Sequence, residues 1–202
     1  MRLTRRIALV SLTLSVLGLG QPTFADSSND NYSTSGQQTE CSGGPSDNFR
    51  LGGQVVNRKT FTLSDLQSLP SSEVTVSFLT GQGQETRTYV GVPLWQLIES
   101  VGGLKPNPDP SVKNNLLRQY VVLEATDCYQ VVLAVGEIQP NFENKQVLVA
   151  YATNDDPSLG PQLLTNEGFA RLVVPGDARG GRYISNIRRI YVLSAPDFRF
   201  KR

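Results

Sequence analysis

Residues 74–97 read VTVSFLTGQGQETRTYVGVPLWQL, and this stretch decides the fold. Val74, Val76 and Phe78 alternate with Thr75 and Ser77, which is the period of a strand with one buried face. After the TGQGQ loop, ETRTYV reads as the antiparallel partner of that strand. Pro93 then suits a first helical position, and Leu94, Leu97, Ile98 and Val101 fall on one stripe until Gly102 and Gly103 stop it. The single Trp95 lies off that stripe, which suits a half-buried aromatic at a seam, with stacking on a ligand as the alternative.

Outward from there, RLGGQVVN is a first strand, and TLSDLQSLP is a short helix with Thr62 as its N-cap and Pro70 as its stop. RQYVVLEA, YQVVLAV, QVLVAYA, ARLVVP and NIRRIYVL are further strands separated by Gly, Pro, Asn and Asp turns. The alternation of strand and helix is too irregular for a doubly wound parallel sheet. The expected fold class is α+β: a mixed, mostly antiparallel, β-rich domain with a few packed helices, spanning residues 49–195.

The ends read differently. A basic MRLTRR, an apolar run of about fourteen residues and a small-residue PTFA make residues 1–25 a signal peptide rather than a membrane anchor, because the run is too short to span. Export by the general route fits better than the twin-arginine route, and no lipid-anchor motif precedes Cys41, so the expected location is periplasmic or secreted. Residues 26–48 carry almost no large apolar side chain and read as a disordered polar linker; residues 196–202 read as a basic tail. Without Arg2, Arg5 and Arg6 the chain carries 16 basic against 18 acidic residues, which argues against nucleic acid as a partner.

Histidine is absent, so the commonest general base and the commonest transition-metal ligand are both missing. The two cysteines of an exported chain permit one disulfide, Cys41 to Cys128; alternatively Cys128 is a free, buried thiol. GQG at 81–83 and GDARGGR at 176–182 are Gly-rich loops without a phosphate-loop or dinucleotide pattern. The second sits in a basic end: residues 168–202 hold eight basic residues against two acidic ones, a net +6 that favours a small anionic ligand or else makes a solvated face. Asp127 and the adjacent Asp155 and Asp156 are poorly placed for paired acid–base work, since neighbours on a strand point to opposite faces.

LGGQVVNRKTFTLSDLQSLP, VTVSFLTGQ, YVGVPLWQLIESVGG, YVVLEATDCYQVVLAV, VLVAYATND and EGFARLVVPGDARGGRYISNIRRIYVL, in this order, resemble the molybdopterin-binding domain of the sulfite oxidase family. The resemblance implies a molybdenum ion on a pyranopterin dithiolene, one protein thiolate on the metal, and oxygen-atom transfer. In the family's Cys-x-Gly-Asn-like pattern, Leu79 stands for the Cys, Gly81 for the Gly and Gln82 for the Asn. In its His-Gly-x-Pro-x-Arg run, Asn166 stands for the His and Phe169 for the Pro, while Arg171 is retained; Arg182 keeps the charge of a Gly-x-Lys-x-x-Lys segment whose second Lys becomes Ser185. The family's Asp-Gly-Tyr becomes Asp127, Cys128 and Tyr129.

A leucine cannot ligate molybdenum, which calls for a soft thiolate from the protein. The expectation is therefore an exported, stand-alone domain of this fold without molybdenum catalysis. It would bind a ligand or a protein partner, with Leu79, Gly81, Gln82, Asn166, Arg171 and Arg182 around its cavity. The alternative is a periplasmic oxidoreductase that holds molybdopterin without the usual Cys, through Arg171, Arg182 and backbone donors, or with Cys128 as an unorthodox ligand. A third reading makes Cys41 and Cys128 a redox switch between tail and domain.

Overall fold

The computed structural model describes residues 41–107 and 112–196, all within one compact unit, Thr39–Arg202. The expected signal peptide, most of the polar linker and the tail beyond Pro196 lie outside the described residues. In chain order the elements are β1 (Asn48–Gly53), β2 (Lys59–Thr62), α1 (Leu63–Gln67), β3 (Ser72–Thr80), β4 (Gly83–Pro93), α2 (Leu94–Glu99), β5 (Gln119–Ala125) and β6 (Gln130–Ala134). There follow α3 (Val135–Ile138), β7 (Leu148–Thr153), β8 (Gln162–Leu163), β9 (Arg171–Val173) and β10 (Ile187–Ser194).

The hairpin forms as its alternation requires. β3 and β4 pair antiparallel from Ser72↔Gly91 to Thr80↔Gly83, with Val76 and Phe78 buried and hydroxyl pairs Thr75–Thr88 and Ser77–Thr86 on the open face. β4 then pairs with β7, whose other edge is shared by β8 and β9. The remaining strands form a second sheet, β2-β1-β10-β5-β6, antiparallel except for the parallel pair β1–β10. This is the mixed, mostly antiparallel α+β arrangement that the residue pattern predicts.

One apolar core joins both sheets: Phe49 and Leu51 of β1, Phe78 of β3, Leu123 of β5 and Ile190 and Val192 of β10 are essentially inaccessible. Each such side chain contributes about 1.5–3 kcal/mol by leaving water. α2 buries the Leu94, Leu97 and Ile98 stripe, and its first N–H reaches Val147 O at 2.8 Å. Trp95 is half-buried and packs against this core. Gly91 is fixed by close approach: a Cβ there would lie 2.4 Å from the Ala150 Cα, where the β4–β7 register shifts.

Three features differ from the sequence expectation. The first strand stops at Gly53 (φ 82°), where the backbone turns left-handed under the Val192 carbonyl, so Gln54 to Asn57 leave it. β2, β8 and α3 are additional, and each is four residues or fewer. Residues 41–47, placed by composition in the disordered linker, are instead a strap fixed to the domain. Cys41 is bonded to Cys128, Gly43 N donates to Thr126 O at 3.2 Å, Thr126 Oγ1 donates to Gly44 O at 2.7 Å, and Phe169 N donates to Ser46 O at 3.2 Å. Among the described residues no helix is long and apolar enough to cross a membrane.

Candidate functional site

The end of β3 places Leu79 on the protein surface, 36% exposed. Its N–H donates to Ala178 O at 3.0 Å, and it forms a parallel bridge with Arg179, so the 176–182 loop closes the strand's free edge. Gly180 permits this approach, since a Cβ would come within 3.1 Å of the Phe78 ring, which itself meets Tyr183 edge-on at 4.4 Å. Gly81 and Gln82 form the hairpin turn. Thr80 Oγ1 accepts from Gln82 N and donates to Gly83 O, both at 3.1 Å, so the GQG loop spends its polar groups on its own closure.

Arg171 projects from β9 into a half-buried position over the rings of Tyr89 (5.6 Å) and Tyr183 (5.9 Å), and Glu167 neutralises it. Tyr183 is buried and donates its hydroxyl to Val174 O at 2.9 Å; burial, with Asp177 adding to it, pushes its phenol up to about 12. Arg182 is held by Asp177 and Glu137, and those carboxylates raise its already high pKa, Asp177 most of all. Arg188 and Arg189 both face Glu124. The +6 end is therefore not a bare basic surface. Four of its described cations are matched by carboxylates, Arg179 is exposed, and Arg199, Lys201 and Arg202 lie outside the described residues.

Of the six positions singled out by resemblance, no two line the same one of three hollows formed by the described residues. Asn166, left-handed at φ 65°, lines a hollow of about 540 Å³ between the strap, α1 and the loop after β8. Arg182 lines another, of about 620 Å³, beside β6 and the 176–182 loop. A third, of about 320 Å³, lies between the β5–β6 turn and residues 180–186. Leu79, Gly81, Gln82 and Arg171 line none of these three.

The strap walls two of the hollows. Gly44, Pro45 and Ser46 border the first, Gly43 and Gly44 border the third, and Asn186 borders both. Sequence reasoning missed these residues because a polar stretch without apolar anchors carries no signal of being held by distant contacts. The carboxylates considered for chemistry are structural: Asp155 accepts from Arg87 Nε (2.9 Å) and Thr88 N (2.8 Å), Asp156 accepts from Ser158, and Asp127 accepts from Tyr129 N.

The donor set decides what metal chemistry these residues fit. The chain has two cysteines and both are consumed by the Cys41 to Cys128 disulfide, so Cys128 offers no thiolate. Among the described residues no three His, Cys, Asp or Glu side chains cluster as a metal would require. Arg171 and Arg182, which would face an anionic cofactor, are already paired with Glu167, Asp177 and Glu137. The protein side of a thiolate-ligated molybdenum centre is thus not supplied here.

Residues 44–200 match the family described as oxidoreductase molybdopterin binding domain. Among solved structures, the crystal structure of the sulfane dehydrogenase SoxCD from Paracoccus pantotrophus has the same fold, with a TM-score of 0.57 at 22% identity. The match covers 73% of this chain but 38% of that one, so this chain spans well under half of that relative's length. No curated protein matches the sequence.

Proposed function

The chain belongs to the oxidoreductase molybdopterin binding domain family, and from that premise we propose that it is an exported member that uses the fold to bind a ligand or a protein partner instead of performing molybdenum redox catalysis. The observation that carries this reading is the Cys41 to Cys128 disulfide, which uses both cysteines of a chain whose Leu79 stands at the thiolate position. Function lives in the site and not in the fold, and the residues that would complete the metal site are replaced or engaged elsewhere. The disulfide also supports export, because such bonds persist in oxidising compartments.

Molybdenum and pterin analysis of the protein purified from its native host tests the proposal. The expected result is no stoichiometric metal. Stoichiometric molybdenum with a bound pterin would overturn it in favour of a periplasmic oxidoreductase that holds the cofactor without a Cys ligand.

A further inference from the structure

Arg188 is the extra residue where β10 slips against β5: Ile187 faces Ala125 and Arg189 faces Glu124, which leaves Arg188 without an opposite number. Bulges of this kind re-aim side chains. Here the guanidinium reaches the disulfide, with Nη2 donating to Cys128 Sγ at 3.0 Å, while Nε donates to Glu124 Oε1 at 2.7 Å and so fixes it in place. Glu124 is shared with Arg189, at 3.5 Å, and the neighbouring Asp127 turns Oδ1 back to accept from Tyr129 N. The two ends of the bond therefore differ. Cys128 is partly exposed and carries the guanidinium, whereas Cys41, the first residue of the strap, is exposed. A guanidinium beside a cysteine favours its thiolate, and the thiol of lower pKa is the faster leaving group in disulfide exchange.

We infer that the Cys41 to Cys128 bond is a thiol–disulfide exchange site that takes two electrons from an external dithiol, with Cys41 as the attacked sulfur and Cys128 as the leaving group. A thiolate of the dithiol attacks Cys41 Sγ. The bond to Cys128 breaks as the new one forms, and its electron pair leaves on Cys128 Sγ, which faces Arg188. The second thiolate of the dithiol then displaces Cys41 Sγ and closes the dithiol's own disulfide. The dithiol is oxidised by two electrons, the pair is reduced by two, and two protons pass from the dithiol to the two cysteines. The site does not depend on what the domain binds, yet it acts on a binding feature, because Gly43 and Gly44 wall the hollow of about 320 Å³. No residue from Cys41 to Pro45 is buried, and beside the disulfide this part of the strap is held by Gly43 N to Thr126 O and Thr126 Oγ1 to Gly44 O. Reduction thus frees that wall while the core stays packed.

The first step is trapped in the unsubstituted protein. The oxidised chain is treated with reduced glutathione, quenched early with N-ethylmaleimide and digested for peptide mass spectrometry. Glutathione is expected on Cys41 and the maleimide on Cys128; glutathione on Cys128, or on both equally, overturns the assigned polarity. Reduction by dithiothreitol then tests the guanidinium. Arg188→Gln should slow it roughly fivefold through a poorer leaving thiolate, and Arg188→Lys should restore most of the rate. Loss of the Glu124 pair alone would loosen the fold and speed reduction, so an unchanged or faster rate in Arg188→Gln overturns the role of Arg188. The reduced protein should keep its far-UV circular dichroism, with amide NMR shifts confined to the strap and to residues 125–129 and 180–186. Global unfolding on reduction, or reduction no faster than hydrogen exchange of the β3 core amides, would make the bond purely structural and overturn the exchange site.

Discussion

Arg182 holds Asp177 with two nitrogens, Nη2 to Oδ1 at 2.6 Å and Nε to Oδ2 at 2.8 Å, and turns Nη1 toward Glu137 at 3.2 Å. This forked geometry is the strong form of an ion pair. It engages the guanidinium from within the chain and fixes the 176–182 loop to α3. Arg182→Gln is expected to lower stability by about 1–2 kcal/mol, between the values for exposed and fully buried pairs because the site is partly screened. Denaturant titration measures this. In the unsubstituted protein, added phosphate should leave the Arg182 Nε–H NMR signal in place; a saturable shift would show an anion competing with Asp177.

Acid should destabilise the protein through carboxylates held below their ordinary range, among them Asp65, Glu124 and Glu137. Asp65 is held down to about 2, chiefly by the Thr62 hydroxyl, then by the Thr62 N–H and Lys59, in the capping box that starts α1. Burial pushes Glu124 and Glu137 up. For Glu124 that is outweighed by hydrogen bonds from Gln130 and Arg188, and for Glu137 by those from the Ala134 N–H, Arg182 and Lys145, so both sit below their ordinary range. Their folded pKa values are lower than the unfolded ones, so the unfolded chain binds more protons as pH falls. The stabilisation is complete above the ordinary carboxylate range of about 4–4.5 and is lost as pH drops toward the folded values. With no histidine to titrate, the melting temperature should stay nearly level between about pH 5.5 and 8. Asp65→Asn should flatten part of the acid slope below pH 4; an unchanged slope would remove Asp65 from the explanation.

Gly91 and Gly81 should respond oppositely to the same change. A methyl group on Gly91 meets the Ala150 Cα and the Val149 O at 2.4 Å, both backbone atoms that cannot move aside without parting β4 from β7. Gly91→Ala is expected to cost about 3 kcal/mol, at the upper end for overpacking. Gly81 has nothing within 4 Å of a built Cβ, and Gly81→Ala should stay within about 0.5 kcal/mol of the parent. Thermal melts of the two variants compare them directly, and equal midpoints would contradict the close-approach argument.

What was legible in the sequence is what is encoded locally. The β3–β4 alternation, the α2 stripe and the Thr62 cap are patterns within ten residues, and the fold follows from them. β8 escaped because two exposed residues, Gln162 and Leu163, carry no period. α3 escaped because its single turn ends the apolar YQVVLAV run. Charge counting cannot see pairing: Arg171 and Arg182 stand four and five residues from the carboxylates that hold them, Glu167 and Asp177. Ser46, Gly168 and Asn186 converge only through tertiary contacts, one of which is a disulfide spanning 87 positions.

That disulfide makes the last prediction. Cys41 and Cys128 lie with Cα atoms 5.2 Å apart, and Cys128 takes a left-handed backbone (φ 66°) at the β5–β6 turn to reach the strap. Closing so long a loop restricts the unfolded chain, and by the chain-entropy estimate the bond contributes about 4–5 kcal/mol. Native protein measured by intact mass without reductant should be two hydrogens lighter than after reduction by a dithiol. The double variant Cys41→Ser, Cys128→Ser should melt lower. Its hydrogen exchange should quicken first at Gly43 and Phe169, whose N–H groups bond Thr126 O and Ser46 O, while Val76 and Phe78 in the core of β3 stay protected. Uniform loss of protection would mean that the bond stabilises the whole domain without a separate strap, and two free thiols in the native protein would remove the bond from the argument altogether.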